Sequence, residues 1–160
     1  MNINLNLNRG KMKMTEIMSG YIPNEDKEGT ETAVTTTSTT AVFTGTGVII
    51  IPQSTGIVQV SLVANLSNNT AGDGVSVNVN YAAGTALTAA GTAAAGTAAL
   101  GAAPQNMISI VAGQAEQVEI DDINISGLTV GTSYTIQPVF NAITGGTASF
   151  TQVQMTAQEI

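Results

Sequence analysis

The sequence predicts an all-β domain, an antiparallel β-sandwich of jelly-roll type, preceded by an extended N-terminal arm. Alternating apolar and polar side chains recur in short segments between residues 42 and 160, and Gly-rich turns separate them. No stretch shows a convincing helical period. About eight or nine strands result, which is typical of a sandwich or jelly roll. At 160 residues, we expect one such domain over residues 32–160 and an arm over residues 1–31.

The arm begins with a strand-like pattern. Three apolar side chains alternate with asparagines: Ile3, Leu5 and Leu7. All positive charge of the chain also lies in the arm: Arg9, Lys11, Lys13 and Lys27. Met12 and Met14 alternate with the two lysines. The arm has too little apolar mass for a core of its own, so we expect it to be ordered by packing on another surface. A frayed chain terminus is the alternative.

The first half of the domain carries the clearest strand signals. Residues 32–41 are rich in threonine and predict a linker or a first strand. The run GVIII predicts a short buried strand. The segments GIVQVSLVANL and VSVNVNY alternate cleanly on either side of the turn NNTAGDG, and together they predict a β-hairpin.

Residues 82–105 are of low complexity, and Gly-Thr-Ala recurs there from positions 84, 91 and 96. The glycines and threonines weigh against a helix. This segment predicts a long, tightly packed loop or weak strand pair, with its small residues at an oligomer axis. A flexible surface loop is the alternative.

Residues 106–160 return to strands, which we place in MISIVA, QVEIDDINI, YTIQPVF and TQVQMTAQEI. The apolar phase slips by one residue at Asp121 and Asp122, which predicts a β-bulge. Pro138 within its segment predicts an edge strand, because proline cannot donate to a sheet ladder.

The charge distribution narrows the class of partner. The net charge is −7, and residues 32–160 contain six acids but no Lys or Arg. Because such a body cannot neutralise phosphates, we expect it to bind neither nucleic acid nor anionic membranes. We also expect no transmembrane segment and no secretory signal, since the longest apolar run ends at Pro52 and no basic stretch precedes an apolar one.

Catalytic chemistry has few candidates, because the chain contains no Cys and no His. We expect no enzyme and no cofactor. Calcium is the one metal to consider, and four oxygen-bearing residues are weak candidates for it: Asn69, Asp73, Asp121 and Asp122. The spacing in NNTAGDG lacks an oxygen ligand at Ala71, and a turn capped by its own side chain explains the same residues.

From about residue 43 onward the chain resembles a group of bacteriophage virion proteins. The matching stretches are NLSNNTAGDGVSVNVNYAAGTA, ISGLTVGTSYTI and AITGGTASFTQVQMTAQEI. Members of this group are jelly-roll or tumour-necrosis-factor-like domains that decorate capsids or sit on fibres. The resemblance implies a homotrimer on the outer capsid surface, bound to the major capsid protein. The arm lies outside the resemblance.

We therefore expect a capsid decoration protein whose arm attaches to an acceptor sheet edge on the shell or on a neighbour. The contact residues would be the following: Ile3, Leu5, Leu7, Arg9, Lys11, Met12, Lys13 and Met14. Two alternatives stay open. One is the receptor-binding tip of a tail fibre or spike, and the other is a bacterial surface protein that assembles edge to edge.

Overall fold

The computed structural model describes residues 27–28 and 33–160. Every regular element in this part of the chain is a β-strand. The strands are β1 (Lys27–Glu28), β2 (Val34–Thr36), β3 (Val42–Phe43), β4 (Val48–Ile50), β5 (Val58–Asn68), β6 (Gly74–Ala83), β7 (Thr97–Ala98), β8 (Gln105–Ile108), β9 (Glu116–Ile125), β10 (Tyr134–Ala142) and β11 (Ala148–Glu159). In the described part of the chain, no helix has the length and apolar character needed to cross a membrane.

The strands form two antiparallel sheets. In the first sheet, β11 lies between β5 and the short strands β1 and β2, and β9 pairs with the other side of β5. In the second sheet, β10 lies between β6 and the short strands β3 and β4. Strands β7 and β8 pair with the other side of β6.

The strand order identifies the sandwich as a jelly roll. Three pairs of short strands, β1 with β2, β3 with β4, and β7 with β8, each run along one edge of a single long strand. If each pair counts as one interrupted strand, the two sheets have the chain order 1-8-3-6 and 2-7-4-5. This is the order of two interleaved Greek keys, which defines the jelly roll.

The core fills the space between the two sheets. Alternate residues of β5 are buried from Val58 to Leu66, and those of β6 from Val75 to Val79. This confirms the faces expected from the sequence. Phe140 of β10 and Phe150 of β11 meet across the sandwich with ring centroids 5.3 Å apart, so the two central strands anchor the sheets to each other.

The predicted hairpin between β5 and β6 is wrong. The turn at residues 69–73 forms as expected, but β5 lies in the first sheet and β6 in the second. The two strands face each other across the core and do not pair. Alternation fixes only which side of a strand is buried, and two strands that bury their apolar sides against each other show the same pattern as two that share a sheet.

The predicted edge position of the Pro138 strand is also wrong, since β10 is central in its sheet. Pro138 is tolerated because its nitrogen faces the interval between β3 and β4. There the Thr44 N–H donates to the Pro138 carbonyl at 3.2 Å, which places the proline nitrogen on the same side of the strand. No ladder hydrogen bond is lost at that point.

The bulge predicted at Asp121–Asp122 is confirmed. The pairing of β9 with β5 shifts register between Ile123 and Ile120, and Asp122 has a φ of 58°. The predicted strand MISIVA is shorter than expected, because β8 ends at Ile108 and the chain then enters a turn.

Candidate interaction surfaces

The outer face of the second sheet is covered by residues 84–104, which we call the cover. The N–H of Phe43 donates to the Thr92 carbonyl at 2.8 Å, and Ala94 N–H donates to the Ala41 carbonyl at 2.8 Å. The chain then returns across the sheet to pair as β7 with Asn80 and Tyr81. The low-complexity segment is therefore a packed loop with one short strand, laid on its own sheet.

Amide side chains on the outer face hold the cover. Gln137, only 1% exposed, accepts a hydrogen bond from the Thr88 N–H at 2.8 Å and donates to the Thr88 carbonyl at 3.0 Å. Asn80 donates to the Ala95 carbonyl at 3.0 Å, and Asn78 donates to that of Gly101 at 3.2 Å. A cavity of about 260 Å³ remains under the cover, lined by small and amide side chains and without a charged group.

One free edge of the first sheet is acidic. Strand β9 carries four of the six acids found in residues 32–160: Glu116, Glu119, Asp121 and Asp122. Glu119 and both aspartates are exposed. Among the described residues, β9 pairs only with β5, so its other edge offers backbone donors and acceptors next to negative charge.

The carboxylate of Glu159 lies in a cradle of backbone N–H groups. Four consecutive residues of the loop before β5 donate to it: Gln53, Ser54, Thr55 and Gly56. The donor–acceptor distances run from 2.6 to 3.1 Å. Burial of the Glu159 carboxylate raises its pKa, but these hydrogen bonds outweigh that effect and lower the pKa from 4.5 to about 2.

The same end of the sandwich exposes apolar side chains. Ile57 and Ile160 are adjacent, because the Ile160 N–H donates to the Ile57 carbonyl at 3.1 Å. Val130 lies on the neighbouring loop, which is joined to the cradle loop through Leu128 N–H and the Gly56 carbonyl at 3.0 Å. All three side chains are exposed. We call this end of the sandwich the arm end. Because β1 runs antiparallel to β11, the backbone of Lys27 lies nearer to this end than that of Glu28.

The opposite end, which we call the far end, has a polar turn beside an apolar loop. The buried side chain of Asn68 donates to the carbonyls of Gly74 and Gly145. Next to this turn, the loop after β8 exposes Ile110 by 77% and Val111 by 59%. Large apolar side chains exposed side by side can serve as a contact surface.

The site residues predicted from the sequence lie in different parts of the molecule. The arm residues Ile3 to Met14 lie outside the described residues. Asn69 Oδ1 accepts from the Thr147 N–H at 2.7 Å. Asp73 Oδ1 accepts from the N–H groups of Gly74 and Thr144 at 2.7 and 3.0 Å.

Burial raises the pKa of Asp73, but the Thr144 and Gly74 N–H groups lower it by more, so the net shift is downward.

On β9, Asp122 accepts from the Gln59 amide at 2.9 Å, while Asp121 is exposed. Within residues 27–28 and 33–160, no three His, Cys, Asp or Glu side chains lie close enough together to hold a metal ion.

Sequence reasoning missed the Glu159 cradle and the amides under the cover. The alternation of Asn78 and Asn80 with valines in β6 is visible in the sequence, but it is the same for a strand whose polar side faces solvent. Nothing in the sequence links Glu159 to the loop at residues 53–56, about one hundred positions earlier.

No family model matches the chain, and no curated protein matches it in sequence. Two similar solved structures are that of the infectious bursal disease virus Gt strain and the crystal structure of the infectious bursal disease virus VP2 subviral particle. Both have a TM-score of 0.45, with 13% and 11% identity over 87% and 86% of this chain. This chain spans 34% and 32% of theirs. Such a loose likeness defines neither fold nor function here, and the jelly-roll assignment rests on the strand order.

Proposed function

We propose that this chain is a structural virion protein, a decoration protein that binds the outer surface of a capsid shell as a homotrimer and stabilises it. The observation that carries the proposal is the arm end. The exposed side chains of Ile57, Val130 and Ile160 lie at this end, and Lys27 lies on the arm-end side of Glu28 in β1. One apolar surface and one extended segment can therefore contact the major capsid protein side by side.

The rest of the molecule supports a contact role over a chemical one. Jelly rolls serve as capsid domains, lectins and cupins, so the fold alone does not decide among them. The chain has no histidine for a cupin-type metal site. The cavity of about 260 Å³ beneath the cover is lined mostly by small and amide groups, and none of its lining residues is an aromatic on which a sugar could stack.

The test is co-sedimentation of the full-length protein with empty capsids of the virus that encodes it. We expect Val130→Asp, at the arm end, to weaken binding roughly tenfold or more, because a carboxylate would be desolvated in the contact. Ile110→Asp, at the far end, is the matched control and should bind normally. Normal binding by Val130→Asp would contradict the proposal. Light scattering should give a mass near three times 16.2 kDa.

The far end favours a second candidate, the receptor-binding tip of a fibre or spike. Ile110 and Val111 are the most exposed large apolar side chains among the described residues, and they point away from the arm end. In that case Ile110→Asp would abolish attachment to host cells, while Val130→Asp would leave it intact. The two variants thus separate the two candidates.

A further inference from the structure

Strand β9 can accept a further strand. It is ten residues long, and no described residue pairs with its outer edge. An open edge of this length presents a row of N–H and C=O groups to any extended segment that approaches it. Added strands are held by main-chain hydrogen bonds, while the side chains on each face decide which segment fits.

The faces of β9 specify what would fit. Glu119 and Asp121 project from the solvent side and are exposed, and Asp122 lies beside them at the bulge. On the core side, Val118 is only half-buried at the border of the core. A matching strand would therefore carry cations on its solvent side and apolar groups on its core side.

Only one segment of the chain has this pattern, because residues 28–160 contain no Lys or Arg. Its cations alternate with Gly and Met: Arg9, Gly10, Lys11, Met12, Lys13 and Met14. In an extended strand the three cations share one face and the two methionines share the other. The alternation is complementary to that of β9 in either strand direction.

We propose that residues 9–14 of one copy add as a strand to the outer edge of β9 in a second copy. The cations then lie beside Glu119 and Asp121, and the methionines extend the apolar surface at Val118. Opposite charges on adjacent strands attract and help to set the register. This inference does not depend on the proposed capsid function, since both partners belong to this chain.

The position of β1 favours a second copy over the same one. β1 and β9 lie on opposite edges of the first sheet, with β11 and β5 between them. To reach β9 of its own copy, the arm would have to cross the polar outer face, where Gln154 and Gln59 lie. In the arrangement that we propose, a neighbour related by rotation places its β9 edge beside β1. Repeating such a head-to-tail contact closes a ring when the rotation between copies divides a full turn evenly.

The first part of the arm is left free by this arrangement. Ile3, Leu5 and Leu7 fall on the odd positions, as the cations do, whereas Met12 and Met14 fall on the even ones. One continuous strand could not bury both apolar sets on one side. Gly10 allows the chain to change direction between them, so residues 3–7 remain available for a different surface.

Cysteine cross-linking tests the inference on the full-length chain, which has no native cysteine. A protein that carries only Lys11→Cys is mixed with one that carries only Glu119→Cys or only Asp121→Cys. Each mixture is dissociated, reassembled and oxidised with oxidised glutathione. We expect a disulfide-linked dimer of the two different variants with one of these acceptor positions. Ala102→Cys, on the exposed cover, is the matched control and should form at most a trace of dimer.

Charge reversal provides the second measurement. Here the cross-link joins Met12→Cys of the protein that supplies the arm to Val118→Cys of the protein that supplies β9, the acceptor. When Arg9, Lys11 and Lys13 of the first protein are all changed to Glu, we expect the dimer yield to fall roughly tenfold or more. Adding Glu119→Lys and Asp121→Lys in the acceptor should restore it. The inference is overturned if the disulfide forms only within one chain in the Lys11→Cys, Glu119→Cys double variant. Equal yields with Ala102→Cys, or no dimer with any β9 position, would also overturn it.

Discussion

The Oε1 atom of Glu159 lies 2.6 Å from the backbone nitrogen of Thr55, and the Thr55 hydroxyl donates to the same oxygen at 3.1 Å. Together with the other N–H groups of the cradle, this contact links the C-terminal end of β11 to the loop before β5. Hydrogen bonds from several backbone N–H groups stabilise the charged form of a carboxyl group more than its neutral form.

We expect Glu159→Gln to lower the free energy of unfolding by about 1–2 kcal/mol, because the charge-assisted hydrogen bonds become neutral ones. Chemical denaturation at pH 7 measures the change. Glu119→Gln, on the exposed side of β9, is the matched control and should change stability by less than about 0.5 kcal/mol. Equal stability of the two variants would show that the cradle contributes nothing.

The same contact predicts a pH dependence. The pKa of Glu159 is lowered in the folded state, so its contribution is complete above about 4.5 and is lost as the pH falls toward about 2. We expect denaturation midpoints of the unaltered protein to drop across this window. The Glu159→Gln variant should show a shallower decline, and a parallel decline in both proteins would contradict the assignment.

Gly56 provides a second test of the cradle. It has a φ of +65°, and a Cβ atom there would collide with the carbonyl oxygen of Leu128. Gly72 has a similar φ of +82° but open space around it. We expect Gly72→Ala to lower the free energy of unfolding by about 1–2 kcal/mol, because of its backbone conformation alone. Gly56→Ala should lower it by clearly more. Urea denaturation of both variants would reveal the difference, and similar costs would argue against the close approach.

The hydrogen bonds of Gln137 predict how firmly the cover is attached to the sheet. The substitution Gln137→Leu removes both hydrogen bonds to Thr88 and leaves its half-buried N–H and carbonyl groups unpaired. We expect this to lower the free energy of unfolding by about 1–3 kcal/mol. We expect amide hydrogen exchange to accelerate roughly tenfold or more within residues 84–104, with β5 and β11 protected as before. Gln117→Leu, on exposed β9, should leave exchange of the cover unchanged. Unchanged exchange in Gln137→Leu would mean that other contacts hold the segment.

The sequence predicts strand faces well and strand partners poorly. The alternation of Val58, Val60 and Leu62 identifies their buried side, because burial of one face follows directly from a period of two. The phase slip at Asp121–Asp122 likewise identifies the bulge. Pairing depends on how distant segments meet, so the same alternation was compatible with a hairpin that does not form. Pro138 was misplaced for the same reason, since the interval between β3 and β4 is a tertiary feature.

Contacts between distant residues explain what escaped prediction at the surfaces. Glu159 and the N–H groups of residues 53–56 carry no local signal of each other, because any carboxylate could occupy such a cradle. The arm end and the acidic edge of β9 likewise arise only when the strand order is known. Charge segregation along the chain is visible in the sequence, but the acidic edge of β9, which we propose as the partner of the cations, is not.

The cover is attached through its backbone. Gln137, Asn80 and Asn78 bond to main-chain groups of Thr88, Ala95 and Gly101, and main-chain groups are the same in every amino acid. These hydrogen bonds therefore do not depend on which side chains the three cover residues carry, and a repetitive stretch of alanine, glycine and threonine can form them. An exposed side chain of the cover, such as that of Ala102, can therefore be replaced without loss of the hydrogen bonds that attach the segment to the sheet.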